Sequence, residues 1–233
     1  MLFALGESWG DHTSIVHAAA ARDHDGTASG RGGCVAGPGR AHPARTSDPC
    51  RPEGIELITL GQARRHRVPR FVKPAAGKLF PAGVRPDGTG LPSDLSAELP
   101  VLSAEPVAFA EEYRLHILDG EVRAASRYAV FGVLDSAPLP LRHPALGFGA
   151  ELVNHLATGL PSAVVVDVGI LSDSGRFAVV EANEAWFSNA YAADADRVLD
   201  VVLRAAGPAH EMRNTDRLFA RSTSARSAGM PEL

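Results

Sequence analysis

The alternation of apolar and polar residues after position 54 predicts a chain built mainly from short strands. Residues 55–60 alternate as a strand does, and a short helical turn follows at Gly61–His66. Brief strand-like runs at 70–73 and 100–102 are each bounded by a proline, which removes a backbone donor. The segment from Pro74 to Pro92 is rich in glycine and proline and is predicted to be a loop.

The second half of the chain has longer patterned segments. Residues 112–118 and 122–130 flank Asp119-Gly120, a dipeptide typical of tight turns, and predict an antiparallel hairpin. Residues 144–160 have helical periodicity, and 163–171 and 176–182 are predicted strands around a short turn. A helix over 194–206 is predicted, with Asp194 or Asp196 at its N-cap and Gly207-Pro208 after its end.

These patterns divide the chain into three parts, with one globular domain over residues 55–206. Residues 1–54 are predicted to be poorly structured, apart from a short strand at 2–5 and a helix around 14–21. From Arg22 to Gly54 the only large aliphatic residue is Val35, so little apolar surface is available for burial. Residues 207–233 are polar and arginine-bearing and are predicted to form a flexible tail.

Composition narrows the class of protein. The chain has 233 residues, 45% of them hydrophobic, and a formal net charge of −4, which argues against a general nucleic-acid or membrane-surface binder. No apolar run is long enough to cross a bilayer, and the first residues lack the features of a signal peptide. The two cysteines cannot form a disulfide framework, so we expect a cytoplasmic protein of mixed α and β structure, whose oligomeric state the sequence leaves open.

Oxygen-bearing side chains interrupt the two apolar strands at 163–171 and 176–182. Asp167 stands in a run of valines, where an unpaired carboxylate is costly to bury. Glu181 and Asn183 are two residues apart and therefore share one face of their strand. Three oxygen ligands that converge across a hairpin would suit Mg²⁺. Alternatively, Asp167 meets an arginine or a helix N-terminus, and the other two residues begin a surface loop.

Basic residues on two other segments are candidates for anion binding. Lys73 lies in an apolar strand before Pro74 and could contact a nucleotide phosphate, or could extend along a strand edge to solvent. The neighbouring Gly77-Lys78 does not form a P-loop, because Val72 and Leu79 occupy positions that require glycine and Ser or Thr. Glu112, Arg114 and His116 share a strand face that is either an anion site or a solvated face with ion pairs.

Taken in order, five segments resemble the ATP-grasp superfamily, and in particular its clade named for two arginines and one lysine. The segments are Phe71–Ala82, Val101–Val107, Glu111–Tyr128, Val165–Ile170 and Val179–Trp186. The resemblance covers about residues 55–206. It implies an α+β ATP-grasp fold, in which two sheet-containing subdomains bind ATP and Mg²⁺ between them, with the domain that ordinarily precedes them truncated or disordered.

The resemblance also implies roles for individual residues. Lys73 resembles the lysine that contacts the α- and β-phosphates, and Glu112 resembles the carboxylate that binds the ribose hydroxyls. The backbone of the Val101–Val107 linker would bind adenine. The implied nucleotide-binding residues are Lys73, Val101, Leu102, Ser103, Glu105 and Glu112. The implied catalytic residues are Arg114, Arg123 and Lys78, with Arg127 as the alternative to Arg123, and the implied metal ligands are Asp167, Glu181 and Asn183.

The implied activity is that of an ATP-dependent carboxylate–amine ligase that acts through an acylphosphate. Its substrates would be small-molecule or peptide carboxylates and amines. Two other functions remain open at this point: an ATP-binding protein without turnover, and a phosphotransferase. The absence of a G-x-S-x-G motif agrees with chemistry that needs no side-chain nucleophile.

Overall fold

The computed structural model of the chain describes residues 2–4, 55–75, 79–156 and 159–220. Its helices are α1 (Leu60–Ala63), α2 (Pro144–Leu156) and α3 (Ala195–Ala205). The strands before the long hairpin are β1 (Leu2–Ala4), β2 (Ile55–Thr59), β3 (Arg70–Pro74), β4 (Gly83–Arg85) and β5 (Pro100–Ala104). The remaining strands are β6 (Phe109–Leu118), β7 (Glu121–Val130), β8 (Val133–Pro138), β9 (Ala163–Leu171), β10 (Phe177–Asn183) and β11 (Ala206–Pro208).

The strands form two main antiparallel sheets, one in each half of the described domain. The smaller has four strands in the order β2-β5-β3-β4, and the larger has five in the order β10-β9-β6-β7-β8. A separate two-stranded sheet pairs β1 with β11. The chain passes once from the small sheet to the large one, through residues 105–108, which lie outside any strand.

Helices cover both faces of the large sheet, which explains the apolar sequence of its central strand β9. Val164, Val166 and Val168 belong to the core that includes α2, whereas Ala163 and Val165 pack in the cluster that includes α3. A strand buried on both faces has a continuous apolar sequence. Asp167, which is 1% exposed, is the exception within this strand.

Two tight turns connect β6 to β7 and β7 to β8. Asp119 and Gly120 have φ angles of 50° and 83°, the pair of positive values that a type I′ hairpin turn requires. Phe131 and Gly132 repeat this geometry with 46° and 74°. The first turn confirms the predicted hairpin. The second generates β8, which the sequence did not predict, because Phe-Gly is not a common dipeptide for such a turn.

Most of the predicted elements are confirmed within a few residues. Helix α3 begins after Asp194, whose Oδ1 accepts a hydrogen bond from the Arg197 amide at 3.0 Å. The fold class of two sheet-containing subdomains is confirmed as well. Strand β4 lies inside the segment predicted to be a loop, where it pairs with β3.

The segment predicted to be a flexible tail from residue 207 contains regular structure as far as Phe219. Two short 3-10 helices, Ala209–Glu211 and Asn214–Phe219, follow β11. Phe219 is buried, and the buried carboxylate of Asp216 accepts hydrogen bonds from the Ser162 amide and hydroxyl, both at 2.7 Å. These contacts attach the segment to the start of β9.

Several other predictions fall outside the described residues. These are the helix around 14–21, the poorly structured segment that follows it as far as residue 54, and the tail beyond Ala220. Among the helices that the structure describes, none has the length and apolarity needed to cross a membrane.

Candidate active site

Three neighbouring strands of the large sheet bring polar side chains into one row. Arg114 on β6 is the cross-strand partner of Asp167 on β9, and Asp167 is in turn the partner of Glu181 on β10. Directly opposed residues in antiparallel strands have side chains about 5 Å apart at Cβ on the same face. The register alone therefore juxtaposes a guanidinium and two carboxylates.

A β-bulge decides which face Glu181 occupies. Phe177 and Val179 point into the α2 core, so simple alternation would direct Glu181 into the same apolar core. The register of β10 against β9 shifts between Val179 and Glu181. The inserted residue turns Glu181 and Asn183 to the opposite face, where Asp167 lies, which is how bulges re-aim side chains beside functional sites.

Asp167 forms a two-point ion pair with Arg114. Its Oδ1 accepts from Arg114 Nε at 2.8 Å and its Oδ2 from the second terminal nitrogen, Nη2, at 2.7 Å. Burial raises the pKa of the Asp167 carboxyl, an effect that the Arg114 guanidinium opposes. The sequence left open whether Asp167 would meet an arginine, and it does.

Asn183 links the two carboxylates, and a lysine from the small sheet completes the cluster. Asn183 Nδ2 lies 3.1 Å from Asp167 Oδ2 and 3.1 Å from Glu181 Oε1. Lys73 Nζ on β3 lies 3.5 Å from Glu181 Oε2. Lys73, Asp167, Glu181 and Asn183 are thus brought together, and the Lys73–Glu181 contact joins the two sheets.

The donor set of this cluster fits a hard divalent cation. Asp167 and Glu181 supply carboxylate oxygens, and the Asn183 amide would present its oxygen to a cation after a half-turn about its last bond. Its N–H donors now lie between the two carboxylates, where positive charge is favoured. Within the described ranges, no three or more His, Cys, Asp or Glu side chains form a metal-binding group, so the third ligand would be this amide.

Two tyrosines line the other side of Arg114. Its guanidinium carbon lies 5.6 Å from the Tyr128 ring centre and 5.0 Å from that of Tyr191, within the range of a cation–π contact. The two rings stack at 5.2 Å with planes 15° apart. Tyr128 also donates from its hydroxyl to Glu112 Oε2 at 2.6 Å, which fixes that carboxylate beside the Arg114–Asp167 pair.

The predicted adenine linker falls mostly inside a strand. Val101, Leu102 and Ser103 lie in β5, which is paired with β2 on one side and with β3 on the other. Their backbone groups are therefore engaged in the sheet. The Ser103 side chain is buried, with its hydroxyl 3.3 Å from His66 Nε2. Residues 105–107, including Glu105, are exposed and outside the strand, so this part of the linker carries the accessible backbone.

The remaining predicted catalytic residues are not brought into the cluster by any contact among the described residues. Arg123 donates two hydrogen bonds to Asp200 on α3, at 3.1 and 2.6 Å, on the exposed surface. Arg127, the alternative, pairs with Asp135 and Glu111. Lys78 lies outside the described residues, so its role stays a prediction.

The sequence predicted neither the burial of His116 nor the contacts of Tyr128 and Tyr191 with Arg114. His116 is fully buried, and neither ring nitrogen has a hydrogen-bond partner among the described residues. Burial, together with the charge of Arg114, lowers its pKa to about 4. The signal that was available was its position two residues after Arg114 on the same strand face.

This fold and this cluster define a class of protein: two antiparallel sheets joined by a short linker, with a lysine on one sheet facing acidic groups on the other. That is the ATP-grasp architecture. Residues 53–201, more than half of the chain, match the ATP-grasp domain model of the second family in the clade named for two arginines and one lysine. The chain belongs to this family, which confirms the resemblance found in the sequence. No curated protein matches the sequence.

Solved structures that resemble the chain include several ATP-grasp ligases. They include the ligase PsnB with a minimal precursor, Mg and ADP (21% identity, 55% of this chain and 43% of that chain, TM-score 0.38). D-alanine–D-alanine ligase from Bacillus anthracis with ATP is similar at 18% identity (56% of this chain, 46% of that chain, TM-score 0.38). D-cycloserine synthetase DcsG matches at 17% (56% and 56%, TM-score 0.37). The chain therefore spans about half, or less, of the length of these proteins.

Proposed function

We propose that the chain is an ATP-dependent carboxylate–amine ligase that binds Mg-ATP between its two sheets. The observation that carries this proposal is the contact of Lys73 on the small sheet with the Glu181–Asn183–Asp167 cluster on the large one. A lysine and a cation-binding cluster on opposite sides of one cleft suit a triphosphate, because phosphoryl transfer depends on positioning and charge neutralisation.

Different residues would bind the different parts of the nucleotide and the metal ion. Lys73 would contact the α- and β-phosphates, Glu112 the ribose hydroxyls, and the backbone of residues 105–107 the adenine. Asp167, Glu181 and Asn183 would hold Mg²⁺, which supplies charge neutralisation at the phosphate oxygens. Lys73 now neutralises Glu181, so nucleotide binding would exchange this ion pair for contacts to phosphate and metal.

In the proposed reaction, a substrate carboxylate oxygen attacks the γ-phosphorus and ADP leaves. An amine then attacks the acyl carbon of the acylphosphate, phosphate leaves, and the amine proton passes to solvent. The substrates would be small-molecule or peptide carboxylates and amines, and we propose that the protein acts in the cytoplasm. No residue of the chain needs to form a covalent bond in this scheme.

One observation favours a second candidate, an ATP-binding protein without turnover. Both Asp167 oxygens already accept hydrogen bonds from Arg114, which leaves fewer lone pairs for a metal. Such a protein would bind ADP and ATP alike and would release no ADP with any substrate pair.

The test combines nucleotide binding with turnover. We expect Mg-ATP to raise the melting temperature, since a ligand at about 100 times its Kd stabilises a protein by about 2.7 kcal/mol. ADP release is then measured across a panel of amino acids and peptides. ADP with free phosphate and a new amide identifies a ligase, whereas ADP with a stable phosphorylated product identifies a phosphotransferase.

Substitutions of Glu181 and Asp167 test whether the cluster takes part in the reaction. Glu181→Gln is expected to lower turnover at least about 100-fold, as loss of a group that holds transition-state charge does, and its partial exposure argues against unfolding as the cause. Asp167→Asn is expected to act in the same direction. Asp200→Asn, on the exposed face of α3, is the matched control. Unchanged turnover in both Glu181→Gln and Asp167→Asn would remove these residues from the reaction.

A further inference from the structure

We propose that Tyr191 is a positioning residue: it holds the Arg114 guanidinium against Asp167 and so fixes the orientation of the Asp167 carboxylate toward a metal ion. This inference rests on the proposed function, because it takes Asp167 to be a metal ligand. Tyr191 does not itself reach the cluster of Asp167, Glu181 and Asn183 through any hydrogen bond of the described residues. Its effect passes through Arg114.

The first observation is that the Arg114 guanidinium is held by hydrogen bonds from all three of its nitrogens and by two aromatic rings. Asp167 binds two of its nitrogens, and the third, Nη1, donates to the Asn189 carbonyl at 3.5 Å. The Tyr191 ring lies nearer to its guanidinium carbon than the Tyr128 ring, at 5.0 against 5.6 Å. A planar guanidinium bound in this way has little freedom to rotate out of the two-point pair.

The second observation is the backbone of Tyr191 itself. Its φ of 51° lies in the left-handed region, which costs an aromatic residue about 1–2 kcal/mol. Such a conformation persists only where its surroundings impose it. Here Asn189 Oδ1 accepts from the Tyr191 amide at 2.8 Å, and Ser126 donates to the Ala190 carbonyl at 3.5 Å. The Ser126 bond attaches the strained turn to β7, the Arg114–Asn189 bond attaches it to β6, and the ring lies against Tyr128 and Arg114.

The third observation connects this arrangement to the cluster. Asp167 Oδ2 accepts from Arg114 at 2.7 Å and from Asn183 Nδ2 at 3.1 Å. Because one oxygen serves both donors, a rotation of Arg114 would turn the carboxylate and shift its geometry relative to Asn183. The stacked ring of Tyr191 opposes that rotation. Groups that orient a ligand without touching the metal typically change metal affinity about 10- to 100-fold when they are mutated.

The ring is the part of Tyr191 that should matter. Among the described residues its hydroxyl has no hydrogen-bond partner, whereas its ring has two contacts. We therefore expect Tyr191→Phe to bind metal within about twofold of the unmodified chain. Tyr191→Leu should bind it about 10- to 100-fold more weakly. Tyr191→Gly should be equally weak, although glycine relieves the backbone strain.

The experiment measures Mn²⁺ binding to the full chain in the presence of ADP, by the loss of the free Mn²⁺ signal in electron paramagnetic resonance. ADP affinity without metal is measured in parallel and should change by less than about twofold. A residue with a merely structural role would lower both affinities together. The matched control is Phe187→Leu, an aromatic residue of the same segment that is 78% exposed and outside the Arg114 contacts.

Each outcome decides a separate point. If Tyr191→Leu or Tyr191→Gly binds Mn²⁺ as tightly as the unmodified chain, the positioning role is overturned. If the unmodified chain itself does not bind Mn²⁺ with ADP, the proposed function fails, and the positioning role fails with it. Should Tyr191→Leu not fold, Tyr191→Gly carries the test, because glycine tolerates the left-handed backbone.

Discussion

The two faces of the large sheet are made from the same strands and differ in almost every physical respect. Toward α2, β6 presents Tyr113, Leu115 and Ile117 to an apolar core. Toward α3, the same strand presents Arg114 and His116, both buried. The first face contributes stability by removing apolar surface from water. The second face buries a charge pair and an imidazole, which lowers stability. Buried titratable groups of this kind are typical of functional sites.

The largest effect on stability should come from unpairing the buried charge. Arg114→Ala leaves Asp167 buried without its partner, and we expect the free energy of unfolding to fall by about 3–5 kcal/mol in urea titrations. The double variant Arg114→Met with Asp167→Leu should be far closer to the unmodified chain, because neither charge is left alone. A loss below about 1 kcal/mol in Arg114→Ala would contradict this account.

Leu115→Ala tests the opposite face at the very next residue. Leu115 is fully buried and packs against α2, where a Cβ added at Gly149 would lie 2.6 Å from its Cδ1. We expect a loss of about 3 kcal/mol from the cavity and the lost burial. Unlike the Arg114 variants, this one should keep its affinity for Mn²⁺ and ADP. A selective loss of metal binding would show that the two faces are not independent.

His116→Leu should raise stability, by about 1–2 kcal/mol at pH 7, since it removes an imidazole that is buried without hydrogen bonds. The effect should depend on pH. The pKa of His116 is about 4 in the folded chain, against 6.5 for an ordinary histidine. Between those values the unfolded chain binds the extra proton, so the unmodified protein loses stability as pH falls from about 6.5 to about 4.

The check is the difference between the unfolding free energies of the unmodified chain and His116→Leu, measured from pH 7.5 to pH 4. Taking the difference removes the opposite contribution of Asp167, whose pKa is raised. We expect the gap to widen toward low pH. A gap that stays constant over this range would contradict the lowered pKa of His116.

The smallest effect should come from an ion pair at the surface. Arg123 and Asp200 are joined at 2.6 Å, but their side chains are 47% and 46% exposed. Asp200→Ala should therefore cost less than about 1 kcal/mol and should cost still less at high salt. Thermal unfolding at two salt concentrations measures this directly. If Asp200→Ala lowered the free energy of unfolding as much as Arg114→Ala, burial would not explain the difference between the Arg123–Asp200 and Arg114–Asp167 ion pairs.

The sequence predicted the β6–β7 hairpin and the need of Asp167 for a partner because both follow from local signals. A carboxylate among valines and an Asp-Gly turn need no knowledge of distant residues. The approach of Lys73 to Glu181 was predicted only through family resemblance, since the two residues are 108 positions apart. Spacing alone did not decide between a metal and an arginine as the partner of Asp167.

Other parts of the site could not be predicted because tertiary contacts create them. Val180, the residue between Val179 and Glu181, gives no sequence signal for the β-bulge that turns Glu181 away from the core. The contacts of the Tyr191 ring with Tyr128 and Arg114 join residues that are far apart in sequence, so the sequence alone could not predict them. Strand β8 follows from the Phe131-Gly132 turn and is exposed along most of its length, so alternation could not reveal it.

The pairing of β1 with β11 affects how much of the chain must be expressed to obtain a stable domain. Phe3 is opposite Gly207, yet the family match runs only from residue 53 to 201. Trimming the gene to those limits would remove both halves of this small ribbon, as well as the Asp216 anchor at the start of β9. The contacts that hold the fold together thus extend beyond the segment that matches the family, and expression of residues 53–201 alone should yield a less stable product than the chain described here.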